Sequence, residues 1–133
     1  MAESKLERLA AAMPPDGTDL TEIFVPGGFS TGGLVADDAV VRFVAPSAET
    51  SSTGPDGFFN TWADWLEAWQ SYTIHYDDVV ERGDRVVALV RLRGVTKRGN
   101  VEMEQEAAGI FRFEGDQVVE IEFNLDREDA LQD

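Results

Sequence analysis

One residue that could bind a ligand through hydrogen bonds is a glutamine on an otherwise apolar strand face. Gln105 lies within residues 101–113, where alternate residues are apolar or small. Because successive side chains of a strand point to opposite faces, Gln105 is predicted to share a face with Gly109 and Phe111. Its amide could donate a hydrogen bond to a ligand carbonyl. The alternative is a half-exposed glutamine at the open end of the sheet, since glutamine is mostly a surface residue.

The single histidine, His75, could act as a general base. It alternates with Tyr72, Ile74 and Tyr76, so it is predicted to lie on the other face of their strand. The alternative is therefore a surface histidine beside carboxylates. The chain has no cysteine, which excludes thiolate chemistry, and one histidine makes a histidine-rich zinc site implausible. We expect no metal ion and no cofactor, with an all-carboxylate metal site left open.

The excess of acidic residues limits the kinds of molecule that this protein is expected to bind. The chain has 26 acidic and 11 basic residues, a net charge of −15. An acidic surface repels phosphate backbones and anionic lipids, so we expect neither nucleic-acid nor membrane binding. The sequence has no apolar run long enough for a transmembrane helix, and its start is charged and amphipathic, unlike a signal peptide. These features predict a cytoplasmic protein, and a length of 133 residues predicts a single domain.

Helical periodicity is clearest in the middle of the chain. After Pro55, which suits the first turn of a helix, apolar residues recur at helical spacing: Phe58, Trp62, Trp65, Leu66 and Trp69. The tryptophans are predicted to pack in the core, with the lining of a pocket as the alternative.

Two shorter helices are predicted upstream. One covers residues 3–13, and Thr18 or Asp19 can cap the other, which runs to Phe24. A glycine-rich loop that is a connector or a mobile lid, a first strand and a polar loop then follow, over residues 27–33, 39–44 and 45–54.

The chain from Tyr72 onward predicts an antiparallel meander of four strands. Three turns separate the strands, each with a glycine that suits positive φ beside a polar residue: Arg82-Gly83-Asp84, Arg98-Gly99-Asn100 and Gly115-Asp116. On the outer face, Arg91 and Arg93 can form ion pairs with glutamates of the next strand: Glu102, Glu104 and Glu106. The apolar part of that face is predicted to bury a homodimer contact: Val87, Leu89, Ala108 and Ile110.

Four stretches, in this order, resemble the nuclear-transport-factor-2-like superfamily, and within it the SnoaL-like and ketosteroid-isomerase-like branch. They are ADDAVVRF (36–43), GPDGFFNTWADWLEAW (54–69), GDRVVALVR (83–91) and EAAGIFRFEGDQVVEIEFNLDREDAL (106–131). The resemblance implies an α+β, cone-shaped fold in which a curved, mostly antiparallel sheet and N-terminal helices enclose a pocket. It also implies frequent homodimers. Isomerases, cyclases, hydrolases and non-catalytic binding proteins share this fold, so the fold does not choose the function.

Steroid isomerases use a carboxylate base, with a tyrosine and a protonated carboxylic acid as hydrogen-bond donors. By the resemblance, these three positions fall near Phe43, Leu9 and Gly109, and none of these residues can exchange a proton. A histidine that many SnoaL-like proteins have near the position of Gly109 is also absent. Steroid-isomerase chemistry is therefore disfavoured, and a cyclase or hydrolase that uses other groups is left open.

The resemblance also assigns roles to single residues. It places Trp62 in the middle of the helix that covers the cone, and Asn124 where related proteins often have a pocket residue. We expect the ligand to contact both, together with Gln105, Gly109 and Phe111.

Asp126, after the last strand, is with Gln105 the predicted catalytic residue. The alternative is that Asp126 caps a turn at residues 128–129, because aspartate is a preferred N-cap. The leading hypothesis is a homodimeric pocket protein that binds an apolar small molecule, with cofactor-independent isomerase, cyclase or hydrolase chemistry if it is an enzyme. The alternative is a non-catalytic ligand-binding or dimerisation module.

Overall fold

The computed structural model describes residues 5–24, 33–45 and 48–127. Within these ranges, three helices and seven strands follow one another along the chain. In chain order they are α1 (Lys5–Ala12), β1 (Thr18–Asp19), α2 (Leu20–Ile23), β2 (Val35–Ala45), β3 (Ala48–Thr53), α3 (Gly54–Leu66), β4 (Trp69–Arg82), β5 (Arg85–Thr96), β6 (Glu102–Glu114) and β7 (Gln117–Asn124). The described strands form one sheet in the order β1-β4-β5-β6-β7-β2-β3, in which β2 and β7 run parallel and the other neighbours antiparallel. The predicted α+β class with a curved, mostly antiparallel sheet is confirmed.

The meander predicted from Tyr72 onward is confirmed as β4 to β7, with its turns at the glycines. Gly83, Gly99 and Gly115 have φ of +61°, +79° and +63°, and Asn100 has φ of +50°. Glycine pays no steric penalty in this region and asparagine pays less than most residues. These residue types therefore determine where each strand ends, and the register of the strands follows from them.

The inner face of the sheet carries the core, in the alternation that the sequence predicts. On β5 the side chains of Val86, Ala88, Val90 and Leu92 are buried, whereas Arg91 is exposed. The helices add buried residues of their own to this core, among them Leu9, Leu20, Phe58 and Trp62. Full burial of a large apolar side chain contributes about 1.5–3 kcal/mol. The buried residues on this face therefore contribute a large part of the hydrophobic stabilisation of the fold.

The outer face carries ion pairs, one of which has a predicted partner. Arg93 contacts Glu104 at 3.1 Å, as predicted. Arg91 contacts Asp77 at 2.8 Å instead of a glutamate of β6, since β4 bulges at Asp77 where it pairs with β5. All four side chains are partly exposed, so solvent screens both pairs and they contribute little to stability.

Residues 45–54, predicted to be a polar loop, contain the strand β3 instead. It pairs antiparallel with β2, with Thr50 opposite Phe43. The prediction was wrong because an edge strand is held by its backbone and needs few apolar side chains, so a run of serines and threonines resembles a loop. On the side facing α3, the hydroxyls of Ser52 and Thr61 lie 2.9 Å apart and join the strand to the helix.

The end of the long helix also differs from the prediction. α3 ends at Leu66, so Trp69, predicted on the helix face, is the first residue of β4. Its ring centroid lies 4.8 Å from that of Tyr72, and both rings cover Gly94. The spacing of the tryptophans is compatible with a helix or a strand at Trp69. Trp69 lies in the strand, where Gly94 leaves room for its ring.

The first long strand and the first helix have different bounds from those predicted. β2 begins at Val35 rather than at the predicted residue 39, and residues 37–38 lie within it at a register shift. α1 covers Lys5–Ala12. The predicted start at residue 3 and residues 27–32 of the glycine-rich loop lie outside the described residues.

Two inward-facing glycines test how tightly this face is packed. A β-carbon added at Gly94 would lie 2.5 Å from the Trp69 ring, and one added at Gly109 would lie 3.1 Å from the Phe111 ring. We expect Gly94→Ala to lower the free energy of unfolding by about 1–3 kcal/mol, the usual cost of overpacking, and Gly109→Ala to cost less. Urea denaturation measures both values. An equal loss of unfolding free energy in the two variants, or no loss in Gly94→Ala, would show that the neighbouring rings can shift to make room for the added methyl group.

Candidate ligand site

The space between the sheet and the helices is a small apolar cavity. Its volume, taken as the space open to the centre of a water molecule, is about 20 Å³, which is room for about one water. The described residues that line it are all apolar or glycine: Met13, Pro14, Leu20, Phe24, Phe58, Trp62, Ile74, Ala88, Val90, Gly109, Phe111, Ile121 and Phe123. This lining offers a ligand hydrophobic contact and no ionisable group.

Aromatic rings fill most of the interior. The ring centroid of Trp62 lies 4.6 Å from that of Phe123, 5.6 Å from that of Phe43 and 5.7 Å from that of Phe24. The first two contacts are edge-on, a geometry that adds about 0.5–1.5 kcal/mol to the gain from burial. Phe43 and Phe123 face each other across the parallel pair β2–β7. Trp62 therefore holds α3 against that pair of strands.

A larger groove lies on the other side of the segment that follows α1. Its volume is about 480 Å³, and its described lining is Leu9, Met13, Pro14, Pro15, Asp16, Tyr76, Val79 and Ala88. Met13, Pro14 and Ala88 line the inner cavity as well. Ligand pockets commonly measure about 300–1,000 Å³, so the groove has the size of a ligand site and the inner cavity alone does not.

Hydrogen bonds to β4 hold one wall of the groove in place. Tyr76 donates from its hydroxyl to the carbonyl of Pro14 at 2.7 Å, and from its backbone N–H to Oδ1 of Asp16 at 2.7 Å. The backbone N–H of Gly17 donates to the carbonyl of Ile74 at 2.7 Å. Residues 14–17 are therefore fixed to the strand at three points.

The groove contains the polar groups that the inner cavity lacks. Burial and the neighbouring Asp16 carboxylate raise the pKa of Tyr76 to about 12. The Tyr76 hydroxyl therefore stays protonated at neutral pH, so it keeps its hydrogen bond to the Pro14 carbonyl and does not act as a base. The side chain of His75, on the opposite face of β4, is 45% exposed, and its Nδ1 lies 3.7 Å from Oδ2 of Asp16.

Met13, Asp16 and Tyr76 were not predicted to be site residues. The motif Pro-Pro-Asp-Gly at residues 14–17 predicts the end of a helix, and nothing near it in sequence indicates the strand on which it docks. One sequence feature could have indicated the groove: Tyr76 is predicted to lie on the same strand face as Tyr72 and Ile74, which are buried.

Three of the five predicted ligand residues line the inner cavity: Trp62, Gly109 and Phe111. Gln105 is half-buried, is not among the described lining residues, and accepts a hydrogen bond through Oε1 from the Tyr72 hydroxyl at 2.6 Å. Burial raises the pKa of Tyr72 above its usual range, so this hydroxyl is the donor. The amide thus provides a partner for a fully buried hydroxyl.

Asn124 and Asp126 lie at the end of β7, outside that lining. Asn124 is 1% exposed, and its Oδ1 accepts a hydrogen bond from the backbone N–H of Asp126 at 2.8 Å. Asp126 itself is exposed. The next residue, Arg127, reaches across the outer face to Asp77 at 3.0 Å and holds the pKa of that carboxyl below its usual range. The turn at residues 128–129 lies outside the described residues.

The three positions that the resemblance links to acid–base chemistry hold packing residues. Phe43 stacks on Phe123 with a centroid distance of 5.5 Å, Leu9 is 3% exposed, and Gly109 lines the cavity. Among the described residues, no three histidine, aspartate or glutamate side chains stand close enough together to hold a metal ion. None of the described helices is long and apolar enough to cross a bilayer.

Comparison with known proteins agrees with this architecture. The family model of the SnoaL-like domain matches residues 30–121, more than half of the chain. The chain belongs to the SnoaL-like domain family. No curated protein matches the sequence.

Solved structures share the fold of this SnoaL-like domain at low sequence identity. A proposed isomerase from Rhodopseudomonas palustris has a TM-score of 0.66 and 15% identity, and the match covers 99% of this chain and 96% of that one. IdmH, a proposed polyketide cyclase from Streptomyces antibioticus, has a TM-score of 0.62 and 20% identity, with 90% and 91% covered. A proposed SnoaL-like polyketide cyclase from Jannaschia sp. CCS1 has a TM-score of 0.59 and 16% identity, with 68% and 65% covered. At these identities the likeness shows the fold alone.

The hydrogen bond between Tyr72 and Gln105 can be tested by a double-mutant cycle. Gln105→Leu leaves the buried Tyr72 hydroxyl without this acceptor, which we expect to lower the free energy of unfolding by about 1–3 kcal/mol. Tyr72→Phe removes the hydroxyl itself, so Gln105→Leu should cost less in that background. Urea denaturation of the four proteins gives the coupling energy. A coupling energy near zero would mean that the hydrogen bond between the Gln105 amide and the Tyr72 hydroxyl does not stabilise the fold.

Proposed function

We propose that this SnoaL-like domain binds an apolar small molecule between its sheet and its helices. The observation that carries the proposal is the lining of the inner cavity, in which every described residue is apolar or glycine. The groove continues this surface with further apolar residues, Leu9, Pro15 and Val79. Removing apolar surface from water contributes about 25 cal/mol per Å², so a hydrocarbon ligand gains free energy along the whole site.

We further propose that a reaction in this site is a cofactor-independent isomerisation, cyclisation or hydrolysis. The structures described as a proposed isomerase and as proposed polyketide cyclases support isomerisation and cyclisation. The inner cavity would act by orienting and desolvating the ligand, because none of its described side chains is ionisable. In the groove, the Asp16 carboxylate is the candidate base. Gln105 and Asp126 would act only on a ligand that extends beyond the inner cavity.

Ligand binding is tested with N-phenyl-1-naphthylamine, a neutral apolar dye whose fluorescence rises when it leaves water. We expect saturable binding by the wild-type chain. Because Ala88 lines both the cavity and the groove, Ala88→Leu should bind about tenfold more weakly, a loss of about 1.4 kcal/mol.

Ala68→Leu is the matched control, since Ala68 is exposed in the turn after α3. Thermal unfolding with and without dye shows that each variant is folded, and it measures binding a second time because a ligand of the native state raises its stability. No saturable binding by the wild-type chain would contradict the proposal. Equal binding by a folded Ala88→Leu variant would show that the dye binds elsewhere, and the proposal would fail for this site.

We also propose that two copies of the chain pack through the outer face of β5 and β6. The predicted apolar strip is contiguous, because Val87 pairs with Ile110 and Leu89 with Ala108. Val87 and Ala108 are already buried within one chain, whereas Leu89 and Ile110 are half-buried. The two half-buried side chains are therefore the ones that a partner would cover.

Light scattering at micromolar concentration tests this dimer. We expect twice the mass of the chain for the wild type and the mass of one chain for Ile110→Arg, because the core of an interface tolerates charge poorly. Val101→Arg, at a residue 53% exposed beyond β5, should remain dimeric. A wild-type mass equal to that of one chain would refute the proposal.

A further inference from the structure

We infer that the inner cavity and the groove are two parts of one binding site, divided by the Met13 side chain, and that its ligand is an elongated apolar molecule with a neutral or cationic end. This inference rests on the proposed function, to which it adds the shape and the charge of the ligand. Its three supports are the volumes of the two spaces, the wall that they share and the charge at the groove.

The volumes require the two spaces to be used together. The inner cavity of about 20 Å³ holds about one water, so no ligand of several carbon atoms fits there unless a wall moves. The groove of about 480 Å³ is large enough, yet it is open to solvent on one side. A ligand that lies in the groove and extends inward would bury both of its sides.

The shared wall contains one side chain that can move and two that cannot. Pro14 has a rigid ring, and the Tyr76 hydroxyl holds its carbonyl at 2.7 Å. Ala88, on β5, has no rotatable side-chain bond beyond its β-carbon. Met13 is half-buried, and its side chain is unbranched and flexible, which lets methionine repack around different neighbours.

The backbone of Met13 is fixed while its side chain can turn. Its N–H donates to the carbonyl of Leu9 at 2.9 Å, which continues the hydrogen bonding of α1 by one residue. A rotation about the side-chain bonds therefore joins the two spaces without unfolding the helix. Met13 is in this sense the divider of the site.

The charge at the groove selects the end of the ligand that stays there. Asp16 is the only charged residue among the described residues that line either space. Its Oδ1 accepts the backbone N–H of Tyr76, and its side chain is 62% exposed. A carboxylate end would face this carboxylate, whereas an ammonium could pair with it and a hydroxyl could donate to it. The net charge of −15 acts in the same direction, so a test has to separate the local charge from the global one.

The division by Met13 is tested with primary alkylamines of four, six, eight and ten carbons, each measured by displacement of N-phenyl-1-naphthylamine. In the wild-type chain, affinity should rise about fourfold per methylene, the gain expected for burying each one. In Met13→Trp the larger ring blocks the way inward, so the affinity should stop rising at a shorter alkyl length. In Met13→Ala the gain should continue at least as far as in the wild type. The same chain-length dependence in all three proteins would overturn the inference.

The charge preference is tested with octylamine, 1-octanol and octanoate at pH 7.5, where the amine is cationic and the acid anionic. We expect octylamine and octanol to bind the wild-type chain more tightly than octanoate. Asp16→Asn keeps the shape and the acceptor oxygen, and it should reduce the ratio of amine to octanoate affinity by about twofold to fivefold, as for an exposed ion pair.

Asp38→Asn is the matched control, because it removes the same charge at an exposed residue of β2 outside both linings. An equal effect of the two substitutions would assign the preference to the global charge and overturn the inference. The two proposals fail in different ways. If the wild-type chain binds neither the dye nor any octyl compound, the proposed function fails and the inference with it. If it binds them without dependence on Met13 and Asp16, only the inference fails.

Discussion

The contact of Trp62 with Phe43 and Phe123 joins parts of the chain that are far apart in sequence. Phe43 and Phe123 pair across β2 and β7, the parallel neighbours of the described sheet. Parallel strands cannot be linked by a tight turn, and here β3, α3 and most of the meander lie between them. α3 belongs to that connection, and Trp62 packs it back onto the strands that it connects, at centroid distances of 4.6 and 5.6 Å. The same set of rings therefore packs across the β2–β7 pair and places the helix on it.

This packing determines where a ligand can lie. The rings that join the helix to the sheet occupy the interior of the cone and leave about 20 Å³ unfilled. The larger space lies beside residues 14–17, which are held on β4 by hydrogen bonds rather than by interlocking side chains. The packed rings and the larger space proposed for a ligand thus lie at different depths of the same fold, and Met13 lines both the inner cavity and the groove.

Features that depend on neighbours in sequence could be predicted, and those that depend on distant contacts could not. The turns of the meander were predictable because a glycine or asparagine with positive φ marks each of them, and the inner face because apolar residues alternate along each strand. β3 was not predictable because an edge strand can be polar. The groove was not predictable because Tyr76 and Pro14, whose hydrogen bond fixes its wall, lie 62 positions apart. The position of Gln105 on the inner face followed from alternation, whereas its partner did not. The Tyr72 ring reaches β6 across β5 because Gly94 has no side chain to block it, and a β-carbon there would lie 2.7 Å from that ring.

Packing residues fill the cone at the three positions that the resemblance links to the steroid-isomerase acid–base set. Phe43, at the position that the resemblance links to the base, is one of the rings that Trp62 packs against. At Gly109, a β-carbon would already lie 3.1 Å from the Phe111 ring, so an acidic side chain would have to displace that ring. An ionised carboxyl placed among these rings would also lose its hydration without gaining a partner, which is costly in an apolar interior. Acid–base groups therefore cannot enter the cavity singly without the loss of core packing. Asp16 and Tyr76 avoid this penalty because they stand at the groove, where Oδ1 of Asp16 accepts the backbone N–H of Tyr76 and the Tyr76 hydroxyl donates to the carbonyl of Pro14.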